Sequence, residues 1–174
     1  MKIVIINGSP RTGNTFAAVK AFMDDAVRFH EIEIIEAAHL NISGCKCCGE
    51  CNRTNGCSAN DDTNPTVDKL VSADMIVLAS PVYFYGMTAQ MKLVIDKLYC
   101  KAALLSGKKA GIILIGAAPV TDQQYGLINE QFKSIAKYHE WDILFNKFYS
   151  AAGSDDLKNN YDAIREKRQL ITQK

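Results

Sequence analysis

The chain has 174 residues, of which 48% are hydrophobic and 22% charged, a composition typical of a globular domain with one full hydrophobic core. Its formal net charge of +1 provides no basic field, so nucleic acids and membrane surfaces are excluded as partners. No apolar run approaches the roughly 18 residues of a membrane helix, and the run 3–6 is too short for a signal peptide. We therefore expect a cytoplasmic protein whose six cysteines are thiols or metal ligands rather than disulfides.

Strand-like and helix-like segments alternate along the chain. Short apolar runs predict strands over 2–7, 31–36, 74–80, 110–117 and part of 141–150. Helical spacing of apolar residues predicts helices over 15–29, 65–72, about 87–98 and about 127–135, and a last helix capped by Ser154 that carries Leu157, Tyr161, Ile164 and Ile171.

This alternation predicts an α/β fold in which helices cover both faces of a five-stranded parallel sheet. The strands 2–7, 74–80 and 110–117 lack polar alternation, as central strands do, and the charged run 31–36 suits a position nearer the edge. The order 2-1-3-4-5 satisfies both observations, and it predicts a ligand crevice between strands 1 and 3. Because no repeat or linker is visible, we expect one domain, 1–174, with a cysteine-rich insertion at about 41–62.

The first strand is followed by GSPRTGNT, residues 8–15. The spacing matches a nucleoside-triphosphatase loop, but Asn14 stands where that loop has a lysine for the β- and γ-phosphates. Glycines, short polar side chains and a helix N-terminus together suit a single terminal phosphate, with Arg11 as an added charge. A glycine-rich turn that binds nothing is the alternative.

The third strand is followed by PVYFYGM, residues 81–87. Three consecutive aromatics, Tyr83, Phe84 and Tyr85, suit a flat heteroaromatic ring, although packing in a core or a subunit interface would also explain them. The loop 116–122 is small and polar enough to border such a ring. A flat ring that carries one phosphate points to FMN.

GSPRTGNT, followed by SPVYFYGMTAQMK, resembles the NAD(P)H-dependent FMN reductase family, which has a flavodoxin-like three-layer fold. The resemblance extends over nearly the whole chain. It implies that the phosphate is held in the loop of Ser9, Arg11, Gly13, Asn14 and Thr15. It also implies that the flavin lies against Pro81, Val82, Tyr83, Phe84 and Gly86. We expect backbone amides around residues 82–86 and near Ala117 to stabilise negative charge on the reduced ring.

The segment CKCCGECNRTNGC contains Cys45, Cys48, Cys51 and Cys57 in the spacing C-x2-C-x2-C-x5-C. Cysteines at i, i+3 and i+6 can turn their sulfurs toward one cubane, as in bacterial ferredoxins. The motif resembles that of the iron-sulfur flavoproteins, a branch of the same family, and this implies a [4Fe-4S] cluster beside FMN. Three other interpretations stay open: unligated thiols, structural zinc and redox-active thiols. Cys47 has no assigned role, and Cys100 is expected to be a buried apolar residue.

The resemblance implies an oxidoreductase that takes electrons from NAD(P)H or a ferredoxin. FMN would pass them to a quinone, a nitro- or azo-aromatic or another small acceptor, with the cluster as a one-electron relay. No side chain is needed as a nucleophile, and a homodimer or homotetramer is expected. The competing hypotheses are a non-enzymatic flavodoxin-like electron carrier and a redox sensor that works through its cysteine loop.

Overall fold

The computed structural model describes residues 1–159 and 164, apart from the side chain of Asp25. Its strands are β1 (Lys2–Asn7), β2 (Glu31–Glu36), β3 (Met75–Pro81), β4 (Lys109–Gly116) and β5 (Asp142–Ser150). Its α-helices are α1 (Asn14–Ala26), α2 (Cys51–Thr54), α3 (Thr63–Val71), α4 (Ala89–Lys97), α5 (Gln123–Tyr138) and α6 (Asp156–Asn159). Two 3-10 segments cover Ala37–His39 and Leu98–Leu105.

The five strands pair in parallel in the order β2-β1-β3-β4-β5, which confirms the expected flavodoxin-like topology. In the middle of the sheet, Ile5 of β1 lies between Ile34 of β2 and Val77 of β3. The chain therefore winds in opposite directions on the two sides of β1, and the loops after β1 and β3 open at the same edge of the sheet. Such a reversal creates the crevice in which this class of fold binds ligands.

Two apolar layers cover the sheet, because successive side chains of each strand point to opposite faces. Val4, Ile76 and Ile112 face a layer made with α3, α4 and α5. Ile3, Val77 and Ile113 face a second layer that includes residues of α1 together with Leu157 and Ile164. Truncation of one such fully buried aliphatic side chain to alanine costs roughly 2–5 kcal/mol of stability.

Several element ends differ from those expected. Helix α1 ends at Ala26, not at residue 29, and α4 gives way after Lys97 to a 3-10 segment with a kink at Lys101. The last described helical turn begins at Asp156, while the hydroxyl of Ser154 bonds to the Asp155 carboxylate. Local hydrogen bonds decide these ends, and apolar periodicity does not report them. The residues Tyr161 and Ile171, which were expected in the last helix, lie outside the described residues.

Within the described residues, none of the helices combines the length and the apolar character that crossing a membrane requires.

Candidate functional site

The loop after β1 is fastened to two neighbours through Gly8. The Gly8 amide donates to the carbonyl oxygen of Ala79 on β3 over 2.8 Å, and the Gly8 carbonyl accepts from the hydroxyl of Thr88 over 2.7 Å. A Cβ atom on Gly8 would lie 2.9 Å from both Met91 Cβ and Thr88 Oγ1. Glycine is needed here because the start of α4 packs directly against the loop.

Ser9 shapes the loop from inside. Its side chain is buried, its amide donates to Asn7 Oδ1 over 3.1 Å, and its hydroxyl donates to the Arg11 carbonyl over 2.7 Å. The hydroxyl is thus engaged by the loop itself, while the Arg11 side chain is exposed at the rim.

The N-terminus of α1 follows directly. Gly13 precedes the helix, and no side chain of the described residues caps it. First-turn amides without a cap, together with the helix dipole, form an anion site. Thr15, in this first turn, is buried with 2% exposure.

The Asn14 side chain is engaged elsewhere. Its Nδ2 donates to the Gly153 carbonyl over 2.7 Å, and its Oδ1 accepts from the Leu157 amide over 3.0 Å. The side chain therefore joins the start of α1 to the segment after β5, and one hydrogen of its Nδ2 is not used in these two bonds. Its predicted contact with a phosphate stays a prediction.

The loop after β3 forms a tight turn from Tyr83 to Gly86, closed by backbone hydrogen bonds of 2.9 and 3.0 Å. Its central residues Phe84 and Tyr85 have φ values of 44° and 64°. Two positive φ values define a type I′ turn, which favours Asn-Gly, so two aromatics in it cost of order 1–3 kcal/mol each. Phe84 is 98% exposed and Tyr85 is 52% exposed. Strain of this kind, which presents aromatic rings to solvent, is typical of functional sites.

The third loop follows β4. The Tyr125 hydroxyl lies 2.9 Å from the Ala118 carbonyl and 3.0 Å from the Tyr149 carbonyl, and it thus connects this loop to β5. Burial raises the pKa of Tyr125, so its hydroxyl stays a proton donor. The Gly116 carbonyl accepts from the Ala151 amide over 2.8 Å, which holds the segment after β5 at the same edge.

These loops enclose a cleft of about 130 Å³ at the carboxyl edge of the sheet. The predicted residues that line it are Ser9, Arg11, Asn14, Thr15, Pro81, Val82, Tyr83 and Ala117. Three other predicted residues, Gly13, Phe84 and Gly86, do not line it. The segment 151–153 does line it, although no motif marked this segment; its position after β5 was the available signal. Most of the predicted flavin-site residues thus come together at one cleft, and their contacts with a cofactor stay a prediction.

The cysteine-rich segment borders a second cavity of about 520 Å³. All four predicted ligands line it: Cys45, Cys48, Cys51 and Cys57. Cys47 and Cys100 also line it, and Cys100 is buried as expected. The chain turns back sharply here, because Cys47 and Gly49 both have positive φ, 52° and 74°. Cys47 thus occupies a conformation that disfavours a non-glycine residue.

Carboxylates fasten the base of this segment. Asp61 accepts from the Ser43 amide over 2.9 Å, from the Ser43 hydroxyl over 2.7 Å and from the Thr63 amide over 2.9 Å. Desolvation raises the pKa of Asp61, but the hydrogen bonds from Thr63 and Ser43 lower it by more, so the net pKa lies below its ordinary value. Asp62 accepts from the Asn41 amide over 2.7 Å, which adds a second tie at the same place.

Two of these cysteines have polar side-chain partners. Lys97 Nζ lies 3.5 Å from Cys57 Sγ, and sequence patterns gave no signal for this contact. The pKa of Cys48 is lowered, first by the backbone N–H of Glu50 and then by the Ser58 hydroxyl 3.7 Å away. Among the described residues, no three ligand-type side chains converge closely enough to hold a single metal ion. The cysteines share one cavity without a preformed site for a single ion.

Known proteins resemble this chain in sequence and in fold. An iron-sulfur flavoprotein of Archaeoglobus fulgidus is 36% identical over 98 residues, which are 56% of this chain and about half, 48%, of that protein. A second iron-sulfur flavoprotein of the same organism is 31% identical over 170 residues, covering 91% of this chain and 74% of that protein. The solved NAD(P)H:quinone oxidoreductase of Methanothermobacter marburgensis has the same fold, with a TM-score of 0.75, 16% identity and coverage of 100% and 97%. The model of the NADPH-dependent FMN reductase family matches residues 1–152, and the chain therefore belongs to that family.

Proposed function

We propose that the chain is an FMN-dependent oxidoreductase that takes electrons from NAD(P)H or a ferredoxin and delivers them to a quinone, an aromatic or another small acceptor. The observation that carries the proposal is that the uncapped N-terminus of α1 lines the same cleft as Pro81, Val82 and Tyr83, which lead into the strained aromatic turn. The names of the relatives, which refer to flavin, iron-sulfur and quinone chemistry, support it.

The residues that would hold FMN divide into two groups. The first-turn amides of α1 suit the phosphate, and the exposed guanidinium of Arg11 adds charge at the rim. The turn 83–86 suits the ring, because it presents aromatic faces beside the cleft. The cleft is smaller than the roughly 300 Å³ of a typical small-molecule pocket, so a ligand the size of FMN would extend past its mouth.

Bound FMN would supply hydride acceptance and one-electron transfer. The protein contributes binding, orientation and electrostatics. The hydrogen bonds of Gly8 to Ala79 and Thr88 fix the position of the loop after β1 relative to the turn after β3. Because these loops are preorganised by bonds within the protein, little reorganisation accompanies ligand binding.

We propose further that Cys45, Cys48, Cys51 and Cys57 hold a [4Fe-4S] cluster, which would supply one-electron relay. In a cubane each cysteine binds a different iron, so the four cysteine sulfurs must surround a cavity and need not converge on a single ion. The cavity of about 520 Å³ lined by these four residues fits that requirement. The lowered pKa of Cys48 also favours a thiolate ligand there, and the buried Lys97 side chain places an N–H donor 3.5 Å from Cys57 Sγ.

The test is an anaerobic absorbance spectrum of the purified protein, with iron and sulfide analysis and a turnover assay of NAD(P)H with a quinone. We expect flavin bands at about 375 and 450 nm and a broad shoulder at about 400 nm, with turnover. A colourless protein that takes up no added FMN at micromolar concentration would overturn the FMN proposal. Flavin without turnover of NAD(P)H or reduced ferredoxin would instead favour an electron carrier.

A matched pair of variants tests the cluster separately. Cys48→Ser should abolish iron and sulfide binding while FMN binding is retained, because the two cavities have no lining residue in common. Cys47→Ser should retain both groups. Stoichiometric zinc in place of iron and sulfide, or equal iron in both variants, would refute the assignment of these ligands.

A further inference from the structure

Lys97 is a buried lysine at the end of α4, and it faces the cysteine cavity. Its exposure is 4%, and it lines the cavity together with Cys57 and Cys100. Its Nζ donates to Cys57 Sγ over 3.5 Å. A long cationic side chain is rarely this buried unless it is paired.

No carboxylate in the described part of the chain pairs with this ammonium group. Among the described residues, no Asp or Glu oxygen forms a salt bridge with Lys97, and Asp96, which lines the same cavity, is paired with Lys92. A buried charge without a counterion costs several kcal/mol, and a neutral thiol is too weak an acceptor to offset that cost. We therefore expect the counterion of Lys97 to lie in the cavity, next to the cysteine sulfur atoms.

We infer that Lys97 is a positioning and electrostatic residue for the cluster, one that donates an N–H···S bond to Cys57 and stabilises the reduced state. This inference rests on the cluster proposed above. A cubane held by four thiolates is anionic, and the gain of one electron adds one negative charge beside the ammonium, with no bond made or broken at Lys97. Hydrogen bonds and positive charge near cluster sulfurs raise the reduction potential.

The alternative role is a local one, since a lysine in the last turn of a helix interacts favourably with the helix dipole. The two roles predict opposite effects in the cluster-free protein. If Lys97 serves the helix, then Lys97→Met lowers the stability of the apoprotein. If Lys97 serves the cluster, the apoprotein of Lys97→Met is as stable as the wild type or more so, because a buried unpaired charge is removed.

The experiment compares four proteins: wild type, Lys97→Met, Lys97→Arg and the control Lys20→Met. Lys20 is an exposed lysine on α1, which packs on the opposite face of the sheet. Anaerobic reductive titration with dithionite, followed by absorbance and electron paramagnetic resonance, gives the midpoint potential of the cluster. We expect a shift to lower potential in Lys97→Met, a much smaller shift in Lys97→Arg and none in Lys20→Met. The flavin potential should stay unchanged, since α4 separates Lys97 from Thr88 by roughly 14 Å at 1.5 Å per residue.

Thermal unfolding of apo and cluster-loaded proteins is the second measurement. Lys97→Met should lower the melting temperature only when the cluster is loaded. If Lys97→Met does not fold, Lys97→Gln, which keeps an N–H donor without charge, should shift the potential in the same direction. Two results would overturn the role of Lys97 but not the cluster proposal. One is a cluster-loaded Lys97→Met protein with the midpoint potential of the wild type, and the other is a loss of apoprotein stability in Lys97→Met. A wild type that holds no iron and sulfide after anaerobic reconstitution would overturn the cluster proposal together with it.

Discussion

The hydroxyl of Thr88 donates to the carbonyl oxygen of Gly8 over 2.7 Å and so joins the start of α4 to the loop after β1. The Oγ1 atom of Thr88 also accepts a hydrogen bond from the Met91 backbone amide over 3.2 Å, and it thereby caps α4. Thr88 is fully buried, and its own amide donates to the Ser80 hydroxyl over 3.2 Å. One side chain thus couples the two loops that line the candidate flavin cleft.

Removal of this hydroxyl should therefore affect both stability and ligand binding. We expect Thr88→Val to lower the free energy of unfolding by about 1–3 kcal/mol, because it removes a helix cap and leaves the buried Gly8 carbonyl with one bond fewer. FMN affinity, measured by quenching of flavin fluorescence, should fall as well. Thr88→Ser keeps the hydroxyl and should lie close to the wild type in both measurements. Equal affinity in Thr88→Val and wild type would show that the coupling does not reach the cleft.

A pair of glycines tests the close approach of α4 to the loop. Gly8→Ala should cost about 1–3 kcal/mol, because the added methyl would lie 2.9 Å from Met91 Cβ and Thr88 Oγ1. Gly126→Ala is the control: it adds the same methyl within α5, where no atom lies within 4 Å, and should stabilise by about 0.5–1 kcal/mol. Urea unfolding measures both changes. The packing argument fails if the two substitutions change stability in the same direction.

The strained turn between Tyr83 and Gly86 is expected to lower stability while it favours FMN binding. Phe84→Asn combined with Tyr85→Gly places the preferred residues of a type I′ turn where φ is 44° and 64°, and should raise the free energy of unfolding by about 1 kcal/mol or more. The same change removes two exposed rings and should weaken FMN binding.

Phe29→Asn is the control for this turn. It removes a 71% exposed aromatic that lies just before β2, at the opposite edge of the sheet from the cleft, so FMN affinity should not change. A double variant that binds FMN as tightly as the wild type would show that the rings serve another purpose.

Asp61 predicts a pH dependence with a defined sign. Its folded pKa lies below the unfolded one, so the ionised carboxylate contributes stability above about pH 4, and this contribution disappears as the pH falls toward the folded pKa. Asp61→Asn should therefore be less stable than the wild type by about 1 kcal/mol at pH 7, with a smaller difference at pH 3. Chemical denaturation at both values is the measurement. Asp142→Asn, at an exposed position, should show no such difference, and a constant deficit for Asp61→Asn would contradict the role of the charge.

Sequence motifs predicted some residues of the candidate site but not the contacts that those residues make. The loop residues Ser9, Thr15 and Val82 were marked by short motifs, and the parallel sheet brought them to one edge as expected. The side-chain bonds of Asn14 were not foreseeable, because its partners Gly153 and Leu157 lie about 140 positions further along the chain. The type I′ turn at Phe84 was not foreseeable either, because aromatic residues argue locally against positive φ.

What the sequence by itself determined is the order of the elements and the edge of the sheet at which the candidate site lies. Apolar runs buried on both faces can only be central strands, and the carboxyl ends of parallel strands meet at one edge. What only the tertiary structure decided is which distant groups touch there: Thr88 with Gly8, and Lys97 with Cys57. The physical reason is that periodicity records whether a side chain is buried, whereas the partner of a buried polar group depends on how separate helices and loops pack against one another.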